Sequence, residues 1–133
     1  MSAMDTSKEA MELISRDRFA AENGIRLVSC AEGAAVAEVT LEERHKNANG
    51  VAQGGLIFTL ADTAFALLCN SDGKHGVGVV NTINFLRPGV GTRLTAVATM
   101  VGQTRSTCCV DVLVRDDQDR VVAKMQCTGY YVQ

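Results

Sequence analysis

The sequence predicts an α+β domain in which one antiparallel sheet wraps a single long apolar helix. Three observations lead there. The stretch from Asn47 to Asn70, NANGVAQGGLIFTLADTAFALLCN, carries one formal charge, Asp62, and its second half is almost unbroken apolar sequence. Two strand-like segments precede it and four follow, most with the apolar–polar alternation of half-solvated strands. No linker, internal repeat or low-complexity tract divides the chain. One sheet on one helix is then the economical way to bury both. Residues 1–133 read as one domain, with residues 1–23 as a helical cover and residues 54–70 as the central helix.

Composition narrows the function. The 133 residues are enough for a real core. At 47% hydrophobic and 21% charged the balance is globular, and a net charge of −2 offers no field for nucleic acid or an anionic membrane. With no Trp, two Tyr and four Phe, stacking platforms for single strands are not expected. The apolar run Leu56–Cys69 is short of the roughly 20 residues that span a bilayer, and it contains Thr59 and Asp62. The first residues lack the apolar core of a secretory signal. The five cysteines, Cys30, Cys69, Cys108, Cys109 and Cys127, are odd in number and show no C-x-x-C spacing. They read as free thiols of a cytoplasmic protein. His45 and His75 have no spacing partner for a metal or a Cys nucleophile, so both read as structural or exposed, and neither a metal nor a redox cofactor is expected.

In chain order, Thr6 to about Ser15 reads as a helix, with Thr6 as N-cap and Glu9 at capping-box spacing. Arg16–Asn23 continues it, with Phe19 and Ala20 inward, until Asn23-Gly24 stops it. Ile25–Cys30 is the first strand and Glu32-Gly33 its turn. Ala35–Glu42 follows, with Ala37, Val39 and Leu41 on one face. A loop rich in Asn and Gly covers Glu43 to Gln53. The central helix then runs from Gly54 to Asn70, and apolar residues on most of its sides mean burial on most sides. After Ser71-Asp72-Gly73 come Val77–Arg87, broken by Pro88-Gly89, then Arg93–Val101 and Thr107–Arg115. Asp116–Asp119 is a hairpin turn, and Val121–Val132 closes the chain.

Asp62 is the residue that asks for a reason. A lone carboxylate in a greasy helix is costly unless a ligand or partner needs it. It lies two turns, or ~10.5 Å, past Gly55, too far for both to serve one small group within a protomer. Two-fold pairing of antiparallel central helices would bring Asp62 of one protomer near Gly55 of its partner.

The element order resembles the hotdog fold. The pattern Asn47-x-x-Gly50-x-x-Gln53-Gly54-Gly55, with Ala61-Asp62-Thr63-Ala64 further on, resembles the signature of PaaI-type (phenylacetic acid degradation) acyl-CoA thioesterases. Asn81-Thr82-Ile83-Asn84-Phe85-Leu86-Arg87-Pro88 is similar to that family's strand and arginine-proline turn. The likeness covers about residues 20–131. It implies a thioester hydrolase acting on an aryl- or short-to-medium-chain acyl-CoA, working as a homodimer with shared sites and assembling as a homotetramer. Coenzyme A would be part of the substrate, with no separate cofactor. By the same resemblance the Gly55 amide, helped by Gln53 or Gly54, would polarise the carbonyl. Asp62 would be general base or nucleophile, and Asn47 would orient water or thioester, with Thr63 a further candidate. Gly54, Asn81, Arg87 and Arg105 would meet the coenzyme, the arginines through its phosphates. One position departs from the family: Gln53 stands where it usually carries His, and an amide cannot titrate near neutral pH. That substitution sustains an alternative, a non-catalytic acyl-CoA binding or sensing module. A hotdog hydratase, whose chemistry pairs a His with a carboxylate, ranks last.

Overall fold

In the computed structural model, which describes residues 6–132, the apolar stretch forms one helix, α3 (Gly54–Cys69), about 24 Å long. Leu56, Ile57, Leu60, Ala61, Ala64, Phe65, Leu67 and Leu68 are all buried. Six strands surround it: β1 (Ile25–Ala31), β2 (Ala34–Thr40), β3 (Gly76–Phe85), β4 (Arg93–Gln103), β5 (Thr107–Asp116) and β6 (Val121–Tyr131). They form one sheet in the order β1-β2-β4-β5-β6-β3, with every neighbouring pair antiparallel. This is the arrangement that the hotdog resemblance implies. No helix among the described residues is long and apolar enough to cross a membrane.

The period-two faces are where alternation places them. Ala35, Ala37 and Val39 of β2, Leu94, Ala96 and Ala98 of β4, and Cys108, Val110, Val112 and Val114 of β5 are buried against α3. In β6 the inward set is Ala123, Met125 and Cys127, while Val121 is only partly buried and Val122 is buried. A bulge at Val122, which the register skips between Val121 and Ala123 opposite Arg115 and Val114, breaks the alternation there. The β1–β2 hairpin turns at Glu32 and Gly33, with φ of 54° and 80°. Those are the values a tight two-residue hairpin turn requires, and Gly33 adopts them freely.

The helical cover is α1 (Lys8–Arg16) and α2 (Arg18–Glu22); residues 1–5 of the expected cover lie outside the described residues. Two expectations are corrected here. Ser7, not Thr6, caps α1: its Oγ accepts from the Ala10 amide at 3.2 Å while its own amide donates to Cys30 O at 2.8 Å. The bond to β1 decides which of two adjacent hydroxyl residues becomes the cap. Phe19 is 63% exposed, and Ala20 alone carries the buried position of α2. A five-residue helix has one inward site, and the small residue takes it.

β3 is one of the two edge strands, opposite β1, and it contains a bulge. Gly76 and Gly78 face inward opposite Tyr131 and Gly129, but the register shifts between Gly78 and Val80. The extra residue reverses the alternation, so Asn81, Ile83 and Phe85 lie opposite the inward-facing Cys127, Met125 and Ala123. Val77, Val79 and Val80 are left exposed along this edge, with Phe85 and Leu86 at its end.

Candidate active site

The start of α3 presents one unused backbone donor. Gln53 is the N-cap. Its Oε1 accepts from the Gly54 amide at 2.9 Å, and its carbonyl accepts from the Leu56 and Ile57 amides at 2.9 and 3.2 Å. The Gly55 amide has no acceptor among the described residues. First-turn amides lack helical partners, and the helix dipole adds positive potential there. With no side chain at Gly54 or Gly55, a ligand oxygen can approach this end closely.

The loop before α3 is held by two side chains. Asn47 Oδ1 accepts from the Asn49 and Val51 amides at 2.9 and 3.3 Å, and Asn47 N donates to Val51 O at 2.8 Å. This is the Asx-type turn that an asparagine makes locally. His45 is 3% exposed. Its Nδ1 accepts from the Glu42 amide at 3.0 Å, so Nε2 carries the proton and donates to Asn23 O at 2.8 Å. His45 O in turn accepts from Gln53 N at 2.8 Å. His45 thus ties the end of α2 and the N-cap of α3 to one loop. His45→Ala would orphan a donor and an acceptor, and is expected to cost about 1–3 kcal/mol in urea unfolding.

Two clefts flank this helix start. One of about 410 Å³ is lined by Asn47, Gly54, Ile57, Phe85, Arg87 and Pro88 among others. The other, about 150 Å³, is lined by Phe19, Arg44, Gln53, Gly55, Leu56 and Thr59 among others. The structure therefore gathers Asn47, Gly54 and Arg87 on one side, and Gln53 and Gly55 on the other. Phe19 was not singled out by sequence as a site residue, and its exposure beside Gly55 places it there.

Asp62 lies further along the same open stripe of the helix. Gly55, Phe58, Thr59, Asp62 and Ala66 are the incompletely buried residues on it, spaced three or four apart. Asp62 Oδ1 accepts from Asn81 Nδ2 at 3.1 Å, its one side-chain hydrogen bond among the described residues. Burial raises the Asp62 pKa above the ordinary carboxylate value; the Asn81 bond opposes this, and the charge of Asp17 adds to it. Asn81, grouped by resemblance with the coenzyme contacts, thus sits against the acid. Thr63 is buried and its hydroxyl donates back to Thr59 O at 2.7 Å, the common use of a helical threonine. Arg105 lies in the β4–β5 turn, the full length of β4 away from Arg87. At ~3.3 Å per residue the contour of β4 is about 33 Å. Among the described residues no group of three or more His, Cys, Asp or Glu is placed to hold a metal ion.

Comparison with known proteins agrees with this fold. The family model described as the Thioesterase superfamily matches residues 49–123, from the Asn-Gly loop into β6. Acyl-coenzyme A thioesterase PaaI of Escherichia coli is 38% identical over 117 residues, which is 87% of this chain and 84% of that one. The structure of the E. coli PaaI protein from the phenylacetic acid degradation operon superposes with a TM-score of 0.91 at 35% identity, covering 95% of this chain and 92% of that one. A Streptococcus mutans protein solved bound to acetyl CoA superposes with a TM-score of 0.77 at 31% identity, covering 81% and 88%.

Proposed function

Because the chain belongs to the thioesterase superfamily, we propose that it hydrolyses acyl-CoA thioesters to free coenzyme A and a carboxylic acid. The observation that carries this is the shared stripe of α3, which holds a free glycine amide at its start and a half-buried carboxylate two turns on. The thioester carbonyl sits against the Gly55 amide, which stabilises the oxyanion as it forms. Asp62 either takes the proton from an attacking water or attacks the carbonyl itself. The C–S bond then breaks and the thiolate leaves as coenzyme A. In the first route it is protonated by the proton that Asp62 took from water, and the acid is formed directly; in the second, water hydrolyses the acyl–Asp62 anhydride to the free acid, restores the carboxylate and supplies the thiolate's proton. No metal or redox cofactor enters this reading.

The two groups come from different protomers. Within one chain they are ~10.5 Å apart along the helix, and the open stripe runs beside an apolar edge strand that needs cover. Antiparallel pairing of two copies covers both and sets Asp62 of one protomer beside Gly55 of its partner. We place the coenzyme along the larger cleft, with Arg87 on its phosphates and Asn47 steadying the loop. Arg105, at the other end of the sheet, serves the cleft of the partner in this arrangement. The acyl group is aryl or short-to-medium chain, close to Phe58, Phe19 and Leu56. A homotetramer follows the family, and the free thiols support a cytoplasmic setting.

The test is a panel of aryl- and alkyl-CoA thioesters read by a thiol reagent, with light scattering on the same sample. Exposed Cys109 reacts with the reagent and sets the blank. Release of coenzyme A by a dimer or larger species is expected. Thermal stabilisation by acyl-CoA without release would instead support a binding or sensing module, the reading that Gln53 favours. A monomer that hydrolyses thioesters would overturn the shared site.

A further inference from the structure

We propose that Asn81 is the positioning residue for Asp62, holding its carboxylate in the rotamer and charge state that hydrolysis needs. This rests on the reading of Asp62 given above. Three features point to it. The Asn81 Nδ2 donates to Asp62 Oδ1 at 3.1 Å, so it favours the ionised form and leaves Oδ2 without a partner among the described residues, open to water or thioester. Asn81 reaches the acid only because the β3 bulge turns it inward, opposite the buried Cys127. Its own Oδ1 is buried without a hydrogen-bond partner. A buried orphan acceptor costs stability that an apolar side chain of the same shape would not. A polar residue retained at such a cost, touching the one acid of the central helix, has its purpose in that contact.

The surroundings leave the task to Asn81. The titratable groups whose fields couple to Asp62 are Asp17, between α1 and α2, and the thiols of Cys69 on α3 and Cys127 on β6. Burial pushes both thiols up to about 12, so they stay neutral and donate no positive field. Asp17 is a like charge. No Lys, Arg or His pairs with Asp62 among the described residues. Among the described residues the Asn81 amide is the one group that opposes protonation of the acid.

Two variants of nearly unchanged shape test this. Asn81→Leu removes the donor; Asn81→Asp places a second carboxylate against the first. With Leu, kcat is expected to fall about tenfold, the worth of one charge-assisted hydrogen bond, with KM little changed. The acid limb of the kcat–pH profile should move to higher pH, because the ionised form has lost its donor. Asp should lower kcat further and move that limb further, since two adjacent carboxylates hold a shared proton. Carbon-13 NMR titration of the Asp62 carboxylate reads the same shift without turnover. A folded Leu variant with wild-type kcat and an unmoved Asp62 titration would overturn the positioning role while leaving the thioesterase reading intact. A wild-type protein that hydrolyses no thioester would remove that reading instead, and the NMR titration would still decide whether Asn81 controls Asp62.

Discussion

Asp62→Ala is expected to lower kcat for acyl-CoA hydrolysis by about a hundred- to ten-thousand-fold, the usual worth of a positioned base, and to leave KM near its wild-type value. The split follows from where the groups lie. The Arg87 cleft is built from the motif loop and the end of β3, whereas Asp62 sits mid-helix with Asn81. Asp62→Asn is the sharper variant, because its amide oxygen can still accept from Asn81 while its charge is gone. The same substitution should alter stability in the opposite sense. Burial raises the Asp62 pKa in the folded state, so the folded protein binds this proton more tightly than the unfolded chain does. Stability is then highest below the unfolded pKa and declines as pH rises through the folded one. Asp62→Asn removes that decline. It should unfold at a higher temperature than wild type at pH 7, with the gap closing in acid. Wild-type turnover in either variant would take Asp62 out of the mechanism. A pH-independent stability difference would show that its burial is not what shifts its titration.

The sheet and the central helix were legible because they rest on local periodicity. β5 shows this well: Cys108, Val110, Val112 and Val114 alternate in sequence and are all buried. The motif loop was legible through its glycines and Asn47, whose constraints are also local. The Asp62–Asn81 pair was not. Its members are 19 residues apart, and simple alternation from Gly76 and Gly78 would turn Asn81 outward. Only the bulge reverses that parity, and Gly78 beside it, though a residue type that often marks a bulge, does not tell from sequence whether or where the register shifts. His45 was similarly hidden, since its partner Asn23 is 22 residues away on the helical cover. Local spacing favoured Thr6, three residues before Glu9, until the bond to β1 selected Ser7. In each case a tertiary contact decided among residues that propensity could not rank.

Phe65→Ala is expected to be the most destabilising single substitution, at about 3–5 kcal/mol. Of the four Phe residues it alone is fully buried, at 2% exposure. Its ring fills a notch that two glycines make. Gly78 of β3 and Gly129 of β6 are register partners, and a Cβ at either would approach the Phe65 ring to 3.2 and 3.0 Å respectively. The ring therefore spaces α3 from the β3–β6 edge of the sheet by direct contact. A domain of this size has only about 5–15 kcal/mol in hand, so the urea midpoint should fall by roughly 2 M. Phe65 also lies one turn past Asp62 on the helix that its ring anchors, and Gly78 lies one bulge before Asn81 on the strand. Emptying the notch should thus loosen the Asp62–Asn81 contact too, lowering kcat even where the variant remains folded. Phe65→Leu should recover part of both losses by refilling part of the notch. A Phe65→Ala protein that keeps wild-type stability would mean that the glycine notch closes on itself. One that loses stability but keeps full kcat would mean that the acid and its asparagine are held together by something other than the spacing this ring sets.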